Sequence, residues 1–149
     1  MADPLVSVVM PAYKAADTIA RAAASVLAQT YEALELIVVS DDGEDYLALL
    51  RETHGLADPR LRQVSTGGVG TGDWNGRNHG LAAARGDFVT LIDADDAYAP
   101  DRLAALWPLA AADGAALDDT QLILDGRTVV TLLHAEERLA AAPVPATAP

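Results

Sequence analysis

The chain has 149 residues, 51% of them hydrophobic and 21% charged, and a formal net charge of −12. That length can bury the core of one domain, and such an acid excess excludes nucleic acid and anionic membrane surfaces as partners, since both require basic patches. The absence of cysteine excludes a disulfide frame, a zinc–thiolate site and a cysteine nucleophile.

Residues 5–10, Leu-Val-Ser-Val-Val-Met, form the first apolar run. It is too short for a signal-peptide core, no stretch approaches transmembrane length, and a cytoplasmic protein is the default expectation. The run reads as a buried strand that Pro11 should end, because proline gives a ladder no donor. Pro11-Ala12-Tyr13-Lys14 would be the loop at its carboxyl end. Asp17 or Thr18 can cap a helix running to about Gln29, in which Ile19, Ala22, Ala23, Val26 and Leu27 share one face. Residues 34–39 read as a second buried strand, entering the polar turn Ser40-Asp41-Asp42-Gly43-Glu44-Asp45. A short helix with Tyr46, Leu47, Leu49 and Leu50 as its apolar positions follows. Asp58-Pro59 marks a turn, and residues 60–65 read as a third strand.

Residues 66–73 carry Gly67, Gly68, Gly70 and Gly72. They match neither G-x-G-x-x-G nor a P-loop, and read as a mobile loop before a helix over 74–85 that Gly86 should stop. The strand over 87–92 then runs into Asp93, Asp95 and Asp96. In an open α/β sheet, ligands bind outside the carboxyl ends of the strands. Carboxylates placed there can hold a hard divalent cation, and the cation can hold phosphates. The expectation is a metal–diphosphate site; the plain alternative is an acidic turn capping the next helix. The overall charge sharpens the choice, since an acid-rich chain repels a diphosphate unless a cation supplies positive charge locally.

Pro100 suits the first turn of the next helix, with Asp101 at its positive end, and Pro108 predicts a kink or restart. Residues 122–124 and 128–133 around Asp125-Gly126 read as a hairpin. A short helix over 135–141 and a Pro/Ala-rich, disordered tail over 142–149 follow. Alternating strands and helices predict an α/β fold with a mostly parallel sheet flanked by helices, one domain over 1–141. The loops at Tyr13, Asp41 and Asp93 would converge along one sheet edge. Taken singly, several of these residues have plain readings. Tyr13 suits a half-buried loop aromatic, Asp41 and Asp42 a turn, and Arg77 a helix charge paired with Asp73. His79 suits a helix surface, Trp74 and Trp107 packing, and Asp118 and Asp119 a turn, while His54 and His134 belong to no metal set.

Together the motifs carry more. Val6-Ser7-Val8-Val9-Met10-Pro11-Ala12-Tyr13, Ala24-Ser25-Val26-Leu27-Ala28-Gln29-Thr30-Tyr31 and residues 34–43 resemble the N-terminal half of a family 2 glycosyltransferase of the GT-A fold. Arg77-Asn78-His79-Gly80-Leu81, Ala84-Arg85-Gly86-Asp87-Phe88, Leu91-Ile92-Asp93-Ala94-Asp95-Asp96 and Pro100-Asp101-Arg102-Leu103 extend the resemblance over residues 5–105. It implies a Rossmann-like sheet that binds a nucleoside-diphosphate sugar and passes the sugar, with inversion, to an acceptor hydroxyl. By the same resemblance Tyr13 packs on the nucleobase, with the backbone of Pro11 and Ala12 edging the pocket. An Asp after the second strand bonds the base; the inserted Ser40 favours Asp41 and leaves Asp42 open. Arg77 contacts the nucleotide, Asp93 meets the ribose or the metal, Asp95 ligates Mg²⁺ or Mn²⁺ in a DXD-type motif, and Asp96 supports it. The general base and the acceptor pocket follow the nucleotide half in this family, and no residue is assigned to either. The acceptor (glycan, lipid or small molecule) and an oligomer or partner chain that supplies its side stay open. So do two alternatives: a nucleotide-sugar-binding module without turnover of its own, and a nucleotidyltransferase on a similar sheet.

Overall fold

In the computed structural model, which describes residues 2–113 and the strands at 115–117 and 131–134, the chain begins in the middle of a six-stranded sheet. Strand β1 (Val6–Ala12) lies parallel to β2 (Leu34–Ser40), which lies parallel to β3 (Leu61–Ser65). On its other side β1 pairs with β4 (Phe88–Leu91), also parallel. Strands β5 (Ala115–Leu117) and β6 (Thr131–His134) complete the order β3-β2-β1-β4-β6-β5, with β6 antiparallel to both its neighbours. Among the described residues four helices connect the strands: α1 (Ile19–Leu27), α2 (Tyr46–His54), α3 (Asp73–Ala83) and α4 (Arg102–Asp113).

Parallel strands covered on both faces need apolar residues at nearly every position. Six of the seven residues of β1 and all seven of β2 are buried accordingly. Val6, Val8, Met10 and Leu36 face the cluster built with Ile19, Ala22 and Val26 of α1 and Leu103 of α4. Val9, Ile37, Val39 and Val89 face Leu81 and Ala83 of α3. The apolar face expected for α1 is the buried one, although α1 ends at Leu27, two residues early. Thr18 occupies its cap position without a side-chain cap bond. Asp45 caps α2 by accepting the Ala48 N–H at 3.0 Å.

Two sequence expectations are corrected. Pro11 does not end β1. The Val9 carbonyl accepts from Ile92 N at 3.0 Å and the Ala12 carbonyl from Asp41 N at 2.9 Å, so odd-numbered positions here point toward β4 and even-numbered ones toward β2. The missing N–H of Pro11 falls on the β4 side, where the ladder has already ended at Val9–Leu91, and it costs no bond. Gly86 does not stop α3, which ends at Ala83. A Cβ on Gly86 would lie 2.6 Å from the Leu5 carbonyl oxygen and 2.7 Å from Ser7 N. Glycine is needed there because backbone presses on backbone.

Helix α4 continues through Pro108. Of the expected hairpin, residues 131–133 belong to β6, which pairs with β4 and β5. The 122–124 arm, the Asp125-Gly126 turn, Asp118, Asp119, the 135–141 helix and the tail lie outside the described residues. No described helix is long and apolar enough to cross a membrane.

Helix α3 approaches the sheet through two glycines one turn apart. A Cβ on Gly76 would sit 3.2 Å from Pro11 Cβ, and one on Gly80 would sit 2.1 Å from Val9 Cγ1 and 3.1 Å from Val39 Cγ2. Gly80→Ala should push α3 off the strands and cost about 1–3 kcal/mol, read as a lower urea midpoint. An unchanged midpoint would mean that the helix does not rest on the sheet at Gly80.

Candidate functional site

The chain leaves β1 outward to β2 and β3, then crosses back through α3 to β4 on the other side of β1. A strand-order reversal of this kind opens a crevice at the strand carboxyl ends. A cleft of about 360 Å³ lies there, lined by Pro11, Ala12, Tyr13, Asp41, Asp93 and Asp95 among others. Of the candidate residues named from sequence, Pro11, Ala12, Tyr13, Asp41, Asp93 and Asp95 are on the wall, and Asp42, Arg77 and Asp96 are not.

The acidic wall hangs on Ile92, buried beyond the end of β4. Asp96 N donates to the Asp93 carbonyl at 3.0 Å and closes a turn, and Arg21 Nη2 grips the Asp95 carbonyl at 2.7 Å. Asp93, Asp95 and Asp96 each bring a carboxylate oxygen to within 4.8 Å of the others. The Asp95 side chain is exposed and accepts no hydrogen bond among the described residues. Hard oxygen donors this close together, one of them uncommitted, fit Mg²⁺ or Mn²⁺. Arg77 pairs with Asp93 Oδ1 at 3.2 Å, not with Asp73, and its guanidinium lies 5.4 Å over the Trp74 ring. It orients Asp93 from behind the wall.

The facing wall is aromatic. Tyr13 is 46% exposed, and Lys14, the only lysine of the chain, holds its ammonium 5.3 Å from the Tyr13 ring centroid. Sequence places this single lysine in the loop after β1 but gives it no role in the site. Its backbone is strained at φ +50°, outside the range most side chains prefer. Asp42 holds this turn. Its Oδ2 accepts from Lys14 N at 2.7 Å and from the Tyr46 hydroxyl at 2.6 Å, and its Oδ1 from Glu44 N at 3.1 Å and the Ser40 hydroxyl at 3.2 Å. Burial, with Asp42 beside it, pushes the Tyr46 phenol up to about 12. Of the two acids left open by sequence, Asp41 lines the cleft and Asp42 braces the loop that carries Tyr13.

Asp41 is buried at the end of β2 and gathers the glycine-rich loop. Its Oδ1 accepts the Thr66 and Thr71 hydroxyls, each at 2.6 Å, its Oδ2 accepts Gly72 N at 3.2 Å, and its carbonyl accepts Gly70 N at 2.7 Å. The loop is therefore tied to the cleft, where sequence suggested a free segment. A second buried acid, Glu35, escaped notice because its partners are distant in sequence. It accepts from Ser7 Oγ at 2.6 Å, Arg62 Nε at 2.8 Å and Arg85 N at 2.8 Å, and pins the turn between α3 and β4 to the sheet.

A family model described as "Glycosyl transferase family 2" matches residues 7–140. The succinoglycan biosynthesis protein ExoO of Rhizobium meliloti is 38% identical over 136 residues, covering 89% of this chain and 38% of ExoO. The UDP-Glc:alpha-D-GlcNAc-diphosphoundecaprenol beta-1,3-glucosyltransferase WfgD of Escherichia coli is 36% identical over 103 residues, covering 69% of this chain and 40% of WfgD. The chain thus spans about 40% of the length of these relatives. Among solved structures, the mannosyltransferase PcManGT of Pyrobaculum calidifontis, in complex with GDP-Man and Mn²⁺, superimposes with a TM-score of 0.56 at 28% identity over 70% of this chain and 31% of its own. S. aureus TarS in complex with UDP does so with a TM-score of 0.59 at 25% identity over 72% of this chain and 31% of its own.

Burial pushes the carboxyls of Glu35, Asp41 and Asp42 up, but the hydrogen bonds they accept outweigh it and hold each below its ordinary value. A depressed folded-state pKa contributes stability that is full above the unfolded value, about 4, and is lost as pH falls through the folded value. The Tm gap between the parent and Asp42→Asn should therefore be widest near neutrality and narrow below about pH 4. A gap that widens on acidification would contradict this sign.

Proposed function

The chain belongs to glycosyltransferase family 2, and on that premise we propose that its cleft binds a nucleoside-diphosphate sugar and presents the sugar for inverting transfer to an acceptor hydroxyl. The observation that carries this is the meeting of three strand ends in one cavity: Tyr13 after β1, Asp41 after β2, and Asp93 with Asp95 after β4. An aromatic face, a buried acceptor and an acid pair are what a base, its edge and a metal-bound diphosphate require. About 360 Å³ falls within the range of small-molecule sites. The solved complexes of PcManGT with GDP-Man and Mn²⁺ and of TarS with UDP support a nucleotide-sugar donor as the ligand.

The base lies against Tyr13, edged by the backbone of Pro11 and Ala12, and donates to Asp41. The diphosphate points toward Asp95 and Asp93. A divalent cation held by these two carboxylates would neutralise the diphosphate in a chain of net charge −12 and stabilise the charge that grows on the leaving group. Arg77 keeps Asp93 turned toward the cleft, and Lys14 adds positive charge beside Tyr13. An acceptor hydroxyl needs a carboxylate to remove its proton as it attacks the anomeric carbon, and no described residue is assigned that task. That gap favours a second reading, a donor-binding module completed by a partner or a further segment. Metal-dependent release of free nucleoside diphosphate from a donor panel marks the enzyme, and metal-dependent binding without release marks the module.

Asp95 is exposed and its carboxylate holds no fold contact among the described residues. Asp95→Ala should keep the parent's Tm and lose at least about tenfold in Mn²⁺-promoted UDP or GDP affinity, read by calorimetry. Affinity equal to the parent's in Mn²⁺ would remove Asp95 from the metal site.

A further inference from the structure

The donors on Asp41 are unevenly placed. Both hydroxyls, from Thr66 and Thr71, fall on Oδ1, Gly72 N reaches Oδ2 at the longer distance of 3.2 Å, and the Thr71 backbone N–H also bonds the carboxylate. Of the three donor residues Gly72 alone lines the cleft, which puts its partner Oδ2 on the cleft side and Oδ1 toward the loop. Each hydroxyl is also fixed in direction. Thr71 Oγ1 accepts from Asn75 Nδ2 at 2.8 Å and Thr66 Oγ1 accepts from Gly68 N at 3.3 Å. Both protons are therefore committed to Asp41. A carboxylate oxygen has two lone-pair directions, and those of Oδ1 are filled.

We propose that Thr66 and Thr71 are specificity-determining residues: by saturating Oδ1 they leave Asp41 a one-point acceptor that favours a base with a single edge N–H, uracil or thymine, over guanine, cytosine or adenine. The inference rests on the donor-site reading above and adds the base to it. Bases out of a stack are read through hydrogen bonds to their pairing edge. Uracil and thymine offer one N3–H between two carbonyls, which Oδ2 can take. Guanine offers N1–H and an amino group side by side, a pair that suits both oxygens of a carboxylate at once, and here one of them is occupied. Cytosine and adenine turn a ring-nitrogen lone pair toward Asp41, and an ionised carboxylate cannot donate to it.

The test is calorimetry of UDP, dTDP, GDP, CDP and ADP, each with Mn²⁺, on the full chain and on two double variants. In the parent, UDP and dTDP should bind about tenfold or more tighter than the other three. Thr66→Val with Thr71→Val empties Oδ1 while keeping side-chain shape, and should raise GDP affinity relative to UDP by several-fold. Thr66→Ser with Thr71→Ser keeps both hydroxyls and should keep the parent's order, which separates the hydroxyl effect from a loss of folding. Metal-dependent binding with GDP as tight as UDP in the parent would overturn the base assignment and leave the donor site standing. So would an unchanged UDP-to-GDP ratio in the valine pair. A folded parent that binds none of the five would overturn the donor site itself, and this inference with it.

Discussion

The site exists because β1 outruns one of its neighbours. It pairs with β2 from Val6 to Ala12, but with β4 only from Val6 to Val9. Beyond Val9 its β4-facing edge is free, and a proline can stand there without loss. The Tyr13 turn and the acidic turn after Ile92 part across this gap. Asp41 reaches it from the other flank because β2 stays paired to the end of β1, where Ala12 opposes Ser40. Helix α3 must then lie close behind, and Gly76 and Gly80 let its backbone meet Pro11, Val9 and Val39.

The carboxylates of this acid-rich chain divide into two kinds. Glu35, Asp41 and Asp42 are enclosed and accept hydrogen bonds at both oxygens, and they hold together loops far apart in sequence. A buried charge is tolerable only when it is hydrogen-bonded in this way. Asp93, Asp95 and Asp96 are clustered at the mouth, with Arg77 in contact with Asp93. Like charges held that close repel, and the arrangement becomes favourable once a cation enters. One class keeps the walls rigid, and the other keeps a demand for positive charge where a diphosphate would lie.

Much of this was legible in the chain itself. Runs such as Leu-Glu-Leu-Ile-Val-Val are readable as buried parallel strands, and the order of strands and helices implies the sheet. The end of β4 on Asp93, Asp95 and Asp96 marks the acidic wall directly. Less legible was anything set by long-range register. Whether Pro11 breaks a strand depends on which side its nitrogen faces, and that is decided by where β4 stops. Gly86 reads as a helix stop until β1 is laid against it. The ties of Asp41 to Thr66 and Thr71 span 25 and 30 residues, and those of Glu35 to Ser7 and Arg85 span 28 and 50. No local pattern carries such pairings. Arg77 seemed to face Asp73 one helical turn away, yet the fold offers it Asp93, in an acid cluster that gains more from a guanidinium.

The central claim is that one cavity serves the base at Tyr13 and Asp41 and the metal at Asp95. The most direct measurement is a crystal structure of the chain soaked with UDP and Mn²⁺. An anomalous manganese peak in bonding contact with Asp95 and the diphosphate, with the uracil ring on Tyr13 and its N–H toward Asp41 Oδ2, is the predicted result. Manganese bound away from Asp95, or a base lying outside the Tyr13–Asp41 wall, would contradict it.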